Sequence, residues 1–180
     1  MAFADESGFH MLPSVVRTWA PVGETPALAS PAKYEHLSVA SAVTLSGSLV
    51  TQIREGSFDG AGIVRFLKHL LAEIPGRIAL IWDGARIHSC RAVKDFLSGG
   101  AAERLHLIRL PAYSPGLNPD EGVWSRNCSA IYAHWLKHRL GNVCCMNLTE
   151  LNGALRRAIR DLQHRTDIVQ SFFRMAGLET

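Results

Sequence analysis

The sequence has few cysteines, and their spacing excludes two classes of site. Its four cysteines are Cys90, Cys128, Cys144 and Cys145, with no CxxC pair and no matching histidine ladder. Structural zinc sites need such paired ligands, and secreted disulfide scaffolds carry cysteines at higher density. We therefore expect neither a zinc site nor a disulfide framework, and we predict reduced cysteines in a cytosolic protein.

The sequence also lacks a long apolar run. No stretch approaches the roughly 20 apolar residues that a membrane-spanning helix needs, and the N-terminus lacks the basic and then apolar order of a secretion signal. We therefore expect no membrane partner and a cytoplasmic location. The net charge of +3 suits contact with a polyanion, but many proteins without a nucleic-acid role carry as much charge.

Length and composition indicate one domain. The chain has 180 residues, of which 47% are hydrophobic and 19% are charged, so it can bury a sizeable core. No internal repeat, low-complexity tract or linker divides it. We expect a single domain over residues 1–180.

The order of predicted elements indicates a mixed sheet. A very short strand is expected before Asp5, and residues 37–45 and 48–54 are β-prone runs separated by Ser46 and Gly47, which predicts an antiparallel hairpin. The continuous apolar run 78–82 is typical of a buried parallel strand. The sequence therefore predicts an α/β fold with a mixed central sheet, an antiparallel meander plus parallel strands, and flanking helices on both faces.

Helices are predicted between and after these strands. Asp59 is a candidate N-cap for an amphipathic helix that ends before Pro75. A shorter helix is expected over about residues 89–97, followed by a strand at 105–110. Asn118 is a candidate N-cap with Pro119 at the first helical position, and residues 148–175 are helical by their apolar period.

Three acidic residues are candidates for a metal site. Asp5 and Asp83 are each expected at the end of a strand, and Glu121 just inside a helix, so their carboxylates can converge on one pocket. Mg²⁺ prefers such hard oxygen ligands and completes its shell with water and phosphate. Each acid also has an ordinary explanation. Glu121 suits a capping box with Asn118, Asp83 suits a turn before Gly84, and Asp5 suits a solvated position near the terminus.

Four segments occur in a fixed order along the chain: ADESGF (residues 4–9), RTWAPVGETP (17–26), LIWDGARIH (80–88) and LPAYSPGLNPDEGVW (110–124). Together they resemble the catalytic domain of DDE-type transposases, specifically the mariner-like bacterial insertion-sequence group. The resemblance implies a ribonuclease H-like fold. It also implies that Asp5, Asp83 and Glu121 are the catalytic triad that holds two divalent ions, Mg²⁺ or Mn²⁺.

The resemblance further implies a function and partners. The expected activity is metal-dependent DNA cleavage and strand transfer in DNA transposition. Double-stranded DNA, both element ends and target, is the expected partner. A homodimer assembled on DNA and association with the nucleoid are also expected.

Three departures from the family pattern bear on activity. Gly84 stands where the family usually has Asn, and residues 125–134 look like an insertion of about three helical turns before Trp135-Leu136-Lys137. Nothing before Asp5 corresponds to the N-terminal helix-turn-helix of full-length members. A fragment, a split reading frame and a degraded copy stay open as explanations. Two alternative functions also stay open: an inactive DNA-binding remnant, and a ribonuclease H-like nuclease or resolvase.

Other residues are candidates for supporting roles. His88 and Asn118 are candidate auxiliary residues, because a histidine near the triad could orient a metal ligand or reach a phosphate. Tyr113 and Ser114 would suit a covalent nucleophile, but the Arg and His cluster that such recombinases need is not evident beside them. Basic residues that could track a DNA backbone, or simply form solvated helix faces, are Lys137, Arg139, Arg156, Arg157 and Arg160.

Overall fold

A mixed five-stranded sheet lies at the centre of the computed structural model, which describes residues 1–12, 15–28, 34–124 and 135–178. The strand order is β3-β2-β1-β4-β5. β1 pairs antiparallel with β2 and β2 with β3, whereas β1 pairs parallel with β4 and β4 with β5. The predicted mixed sheet is therefore confirmed. The strands are β1 (Ala2–His10), β2 (His36–Thr44), β3 (Leu49–Glu55), β4 (Ile78–Trp82) and β5 (Leu105–Arg109).

Helices cover both faces of the sheet, because successive side chains of each strand point to opposite faces. On one face Ala2, Ala4 and Leu80 pack in a core with Phe66. On the other face Phe3 and Phe9 join a second core. The helices of the first face are α1 (Gly60–Glu73) and α2 (Arg91–Ser98), and those of the second are α3 (Glu121–Trp124), α4 (Trp135–Arg139), α5 (Leu148–Gln163) and α6 (Thr166–Met175). None of the helices in the described residues is long and apolar enough to cross a bilayer.

Local sequence signals account for several element boundaries. The Asp59 side chain accepts a hydrogen bond from the Gly62 backbone N–H at 2.6 Å and so caps α1 as predicted. Gly47 has φ of +84° in the turn between β2 and β3, a conformation that glycine adopts without a Cβ penalty. The parallel strand β4 has the predicted bounds. These predictions rested on residues close together in the sequence, and the structure confirms them.

The prediction of a very short first strand is wrong, because β1 has nine residues. The whole of β1 pairs with β2, from Ala2 opposite Thr44 to His10 opposite His36. Its parallel partner β4 is much shorter and pairs only with Ala2 and Phe3. Asp5 therefore lies in the middle of a strand, just beyond the point where β4 separates from β1.

The C-terminal helical region is divided in two. Residues 148–175 form α5 and α6, which are separated at His164 and Arg165. The break lets α6 turn back so that the Phe173 ring packs edge-on against Phe3, with ring centroids 5.6 Å apart. The shorter helix expected over residues 89–97 is α2, preceded by a 3-10 turn at Arg86–Ser89. The apparent insertion at 125–134 lies outside the described residues.

Candidate active site

The three acidic residues singled out in the sequence line one open pocket of about 370 Å³. Asp5 comes from β1, Asp83 from the loop after β4 and Glu121 from the start of α3. The opposite wall is the loop that follows β5, from Arg109 to Pro115. The fold thus gathers three carboxylates from distant segments. Their chemical role stays a prediction.

Asp5 is positioned by the end of strand pairing. Because β4 separates from β1 after Phe3, the strand edge beside Asp5 is open toward the loop that carries Asp83. One Asp5 oxygen, Oδ1, accepts a hydrogen bond from the Glu6 backbone N–H at 2.8 Å. The side chains of Asp5 and Glu6 leave opposite faces of the sheet. Asp5 therefore faces α3, and Glu6 faces the α1 and α2 side.

Asp83 is held by two contacts at one oxygen. Its Oδ1 accepts a hydrogen bond from the Ala85 backbone N–H at 3.0 Å and lies 2.8 Å from His88 Nδ1. The first contact is the turn role considered in the sequence analysis. In the described part of the chain, Oδ2 has no hydrogen-bond partner. The turn therefore orients Asp83 without occupying the whole carboxylate.

Asn118 joins the start of α3 to β1. Its Nδ2 donates to the Ala4 carbonyl at 3.1 Å, and its Oδ1 accepts from the Asp120 backbone N–H at 3.1 Å. Asn118 thus acts as a cap, although α3 begins at Glu121, three residues later. The backbone N–H of Asn118 donates to Pro115, so the capping-box explanation for the Glu121 side chain is not what is observed. These two hydrogen bonds form a joint between the start of α3 and β1, and this joint places Glu121 next to Asp5.

Gly122 sets the distance between α3 and α6. A Cβ placed on Gly122 would lie 2.5 Å from Cγ and Cδ1 of Phe172. Real Cβ atoms do not approach other heavy atoms that closely, so only glycine permits this packing. Phe172 is 1% exposed and lies in the core, so it cannot swing into solvent. The contact fixes the turn of helix that carries Glu121.

The three carboxylates repel one another. Burial raises the pKa of Asp5 to about 7, and the negative charges of Glu121, Glu6 and Asp83 add to the shift. The pKa of Glu121 is also raised, first by burial and then by Asp83, while Lys137 opposes the shift. Burial is the largest cause of both shifts, and the repulsion between neighbouring carboxylates adds to it. Such a site favours a bound cation.

A fourth acid, Asp120, was not identified from the sequence. Its side chain is fully buried and its Oδ2 accepts a hydrogen bond from the Ser41 hydroxyl. Burial and the nearby charge of Asp5 raise the pKa of Asp120 well above its ordinary value. Burial and the neighbouring charge therefore both favour the uncharged form of Asp120. The burial of Asp120 could not be predicted from the sequence, because an Asp beside a Glu at a helix start is usually solvated. It depends on the long-range contact between Asp120 and Ser41 of β2.

His88 lies between two carboxylates. Its Nε2 lies 2.9 Å from Glu6 Oε1, its Nδ1 lies 2.8 Å from Asp83 Oδ1, and its ring stacks on Trp82 with centroids 3.8 Å apart. Burial disfavours the charged ring, but hydrogen bonds and charge from Glu6 and Asp83 outweigh it, so the pKa of His88 is raised. In the protonated ring, Nε2 donates to Glu6 and Nδ1 donates to Asp83. The sequence indicated His88 but gave no sign of its partner Glu6.

The candidate DNA-contacting residues are dispersed. Lys137 lies close enough to Glu121 for its positive charge to oppose the rise in the pKa of Glu121. Arg139 pairs with Asp161 at 2.7 Å and covers the Trp135 ring. The other three are exposed residues of α5, namely Arg156, Arg157 and Arg160. Of the five, Lys137 is the one whose charge reaches the triad.

The donor set fits divalent metal ions in its chemistry. Carboxylate oxygens are the ligands that Mg²⁺ and Mn²⁺ prefer, and Mg²⁺ usually retains several waters and needs one or two carboxylates. Among the described residues, no group of three or more His, Cys, Asp and Glu side chains is placed to hold one ion jointly.

Comparisons with known proteins bear on the fold and the family of this chain. No curated protein sequence matches the chain. The mariner Mos1 paired-end complex with Mg has a TM-score of 0.64 at 16% identity, covering 98% of this chain and 53% of that chain. The Mos1 strand transfer complex has a TM-score of 0.57 at 18% identity, covering 95% and 54%. The chain thus spans about half the length of the Mos1 chains in these assemblies.

The isolated catalytic domain of Mos1 mariner transposase has a TM-score of 0.53 at 14% identity, covering 99% of this chain and 83% of that chain. At such identities the likeness concerns the fold, and it confirms the ribonuclease H-like architecture. The model of the family described as DDE superfamily endonuclease matches residues 1–143, most of the chain. The chain therefore belongs to the DDE superfamily endonucleases.

Proposed function

We propose that this chain is the catalytic domain of a mariner-like transposase, which cleaves double-stranded DNA and transfers the cut strand. Asp5, Asp83 and Glu121 would hold two divalent ions, Mg²⁺ or Mn²⁺. The observation that carries the proposal is the single pocket in which these carboxylates meet and disfavour one another's charge. A site that concentrates uncompensated negative charge is suited to cations and, through them, to phosphate.

The position of each acidic residue in the pocket indicates the role that it would have. Two bound ions supply activation of the attacking oxygen and stabilisation of the leaving oxygen in a phosphodiester displacement. Asp5, which lines the pocket with Asp83 and Glu121, would help to hold the ions. Asp83 and Glu121 would each serve one ion. Asp120, whose uncharged form is favoured by burial, would support the start of α3 through its hydrogen bond with Ser41.

The similarity to Mos1 complexes with transposon-end DNA supports DNA as the substrate. Lys137 and the exposed arginines of α5 would contact the DNA backbone, and a homodimer would assemble on the DNA. We further propose that residues 1–180 act as one catalytic domain. Recognition of element ends would then require a separate DNA-binding region.

Nicking of a supercoiled plasmid in Mg²⁺ or Mn²⁺ tests the cleavage step. We expect nicking by the wild-type chain and only background nicking by Asp83→Asn, because this change removes a ligand charge at nearly constant volume. Asp95→Asn is the matched control, since Asp95 is an exposed acid of α2 that does not line the pocket. Equal nicking by wild type and Asp83→Asn would contradict the proposal.

A strand-transfer assay separates a transposase from a nuclease or resolvase. A pre-cleaved oligonucleotide carrying a candidate element end and a free 3′ hydroxyl is incubated with a target plasmid. The proposal predicts joined products that require the metal ion and Asp83. Metal-dependent cleavage without joining would instead indicate a ribonuclease H-like nuclease.

A further inference from the structure

An arginine lies in the pocket beside the carboxylates, in a space that a glycine leaves open. Arg109 ends β5 as the neighbour of Trp82, so its side chain meets the loop that follows β4. A Cβ placed on Gly84 would lie 2.2 Å from Arg109 Nε and 2.3 Å from its Nη2. The guanidinium therefore occupies the volume that any side chain at position 84 would take.

The guanidinium of Arg109 is exposed and has no anionic partner in the described residues. Other arginines of this protein do pair: Arg54 with Asp59 and Arg139 with Asp161, each at 2.7 Å. An unpaired cation that lines a pocket and lies in the space beside a glycine is suited to an anionic ligand. The planar fork of donors on a guanidinium matches the oxygens of a phosphate.

We propose that Arg109 binds a nonbridging phosphate oxygen of the DNA backbone in this pocket, and that Gly84 is the residue that makes room for it. The proposal rests on the proposed function, because it takes DNA as the ligand. A phosphodiester entering the pocket brings a negative charge toward Asp5, Asp83 and Glu121. Arg109 offsets that charge from the opposite wall and fixes the position of the phosphate.

The role of Gly84 follows from its backbone. Its φ does not lie in the positive range, so alanine is compatible with the local chain conformation. The clash that alanine would create is with the end of a long side chain, which can move away into solvent. Gly84→Ala is therefore expected to displace the guanidinium while leaving Arg109 in the sequence and the fold intact.

Fluorescence anisotropy with a labelled 20-base-pair duplex tests the contact. Binding is measured in Ca²⁺, which also prefers oxygen ligands, over a series of salt concentrations, with intact DNA verified on a gel. Each phosphate neutralised contributes about 0.9 to the slope of log affinity against log salt. We expect Arg109→Gln to weaken binding and to reduce the slope by about 1, and Arg109→Lys to retain the slope.

The matched control is Arg65→Gln, because Arg65 is an exposed arginine of α1 outside the pocket. An Arg109→Gln protein with the affinity and slope of Arg65→Gln and wild type would overturn the proposal. Circular dichroism melting of each variant verifies that it is folded. The readout is binding, so the inference can fail while metal-dependent nicking succeeds, and it can hold where nicking is absent.

A double-mutant cycle tests the link between the two residues. If Gly84→Ala acts by displacing the guanidinium, the double variant Gly84→Ala, Arg109→Gln will bind no more weakly than Arg109→Gln alone. The single Gly84→Ala change should by itself reproduce most of the loss of slope. Additive effects of the two changes would overturn the assignment of Gly84 as the residue that makes room.

Discussion

His88 Nδ1 lies at ion-pair distance, 2.8 Å, from Asp83 Oδ1, and it forms a hydrogen bond of 3.3 Å with the backbone carbonyl of Asp83. The other nitrogen of the ring binds Glu6, and Trp82 supports its face. The metal ligand proposed at position 83 is thus oriented by a residue that does not line the pocket itself. Partners of this kind fix the rotamer of a ligand and influence its affinity for metal.

Replacing His88 is expected to weaken the site without removing a proposed ligand. His88→Ala should lower metal-dependent nicking by about 10- to 100-fold, with a comparable loss of metal affinity. The measurement is the nicking rate as a function of Mn²⁺ concentration. His69→Ala is the control, because His69 is an exposed histidine of α1 with only a weak ion pair to Glu73. A nicking rate unchanged in His88→Ala would show that Asp83 needs no such support.

The raised pKa of Asp5 predicts that stability without metal falls as pH rises. The pKa is about 7 in the folded chain against an ordinary 3.8, so between these values the folded state binds more protons than the unfolded state. The free energy of unfolding therefore decreases from about pH 4 to about pH 7. Asp5→Asn should remove this part of the dependence and stabilise the protein at pH 8 by up to about 4 kcal/mol.

Urea unfolding in EDTA at pH 5 and pH 8 measures the effect of Asp5→Asn. His88 contributes in the same direction, because its raised pKa gives stability that is lost as pH rises through the folded value. Asp5→Asn should therefore flatten the pH dependence only in part. The prediction fails if the variant is destabilised at pH 8, or if Asp95→Asn has the same effect.

Gly122→Ala is expected to disturb the α3 and α6 contact. The new Cβ would lie 2.5 Å from the Phe172 ring, and overpacking of this kind costs about 1–3 kcal/mol. Nicking should fall as well, since α3 carries Glu121. Gly153→Ala is the control. A Cβ at Gly153 meets only Arg157 Nη1 at 3.5 Å, and alanine in a helix is favoured over glycine by about 1 kcal/mol.

If this packing argument is right, Gly122→Ala lowers the melting temperature and Gly153→Ala raises it. A second change that removes the clash, Phe172→Leu, should restore part of the stability lost in Gly122→Ala. If Gly122→Ala melts at or above the wild-type temperature, the close approach of α3 and α6 is not as described.

Asn118→Ala is expected to loosen the joint between α3 and β1. The change removes a buried donor to the Ala4 carbonyl and an acceptor for the Asp120 N–H, with an expected cost of about 1–3 kcal/mol. Asn118→Asp keeps the acceptor but places a buried carboxylate against the Ala4 carbonyl and near Asp5, so it should cost at least as much stability as Asn118→Ala. Melting temperature and nicking rate should fall together in both variants. A loss of stability with full activity would show that the joint does not position Glu121.

Features that depend on neighbouring residues could be predicted from the sequence, whereas those that depend on partners across the sheet could not. The turn at Gly47 and the cap at Asp59 follow from short-range chemistry. The length of β1 does not, because it is set by pairing with β2. The break between α5 and α6 likewise follows from packing on Phe3, although the apolar period runs through both helices.

The candidate site shows the same division. Four sequence segments led to Asp5, Asp83 and Glu121 as candidates, whereas no role was predicted for Glu6 or Asp120. Their roles depend on His88 and on Ser41, which lie 82 and 79 positions away along the chain. Gly84 stood out as a departure from the family pattern. That its space is occupied by Arg109 could be learned only from the packing of β4 beside β5.

Calorimetric titration with Mn²⁺ near pH 7, in two buffers of different ionisation heat, tests most directly whether the three carboxylates form a metal site. Because Asp5 is partly protonated at this pH, metal binding should release a proton and the measured heat should depend on the buffer. We expect saturable binding with proton release in wild type and in Asp95→Asn, and loss of both in Asp5→Asn. Unchanged Mn²⁺ binding by Asp5→Asn, or no binding by wild type, would contradict the account.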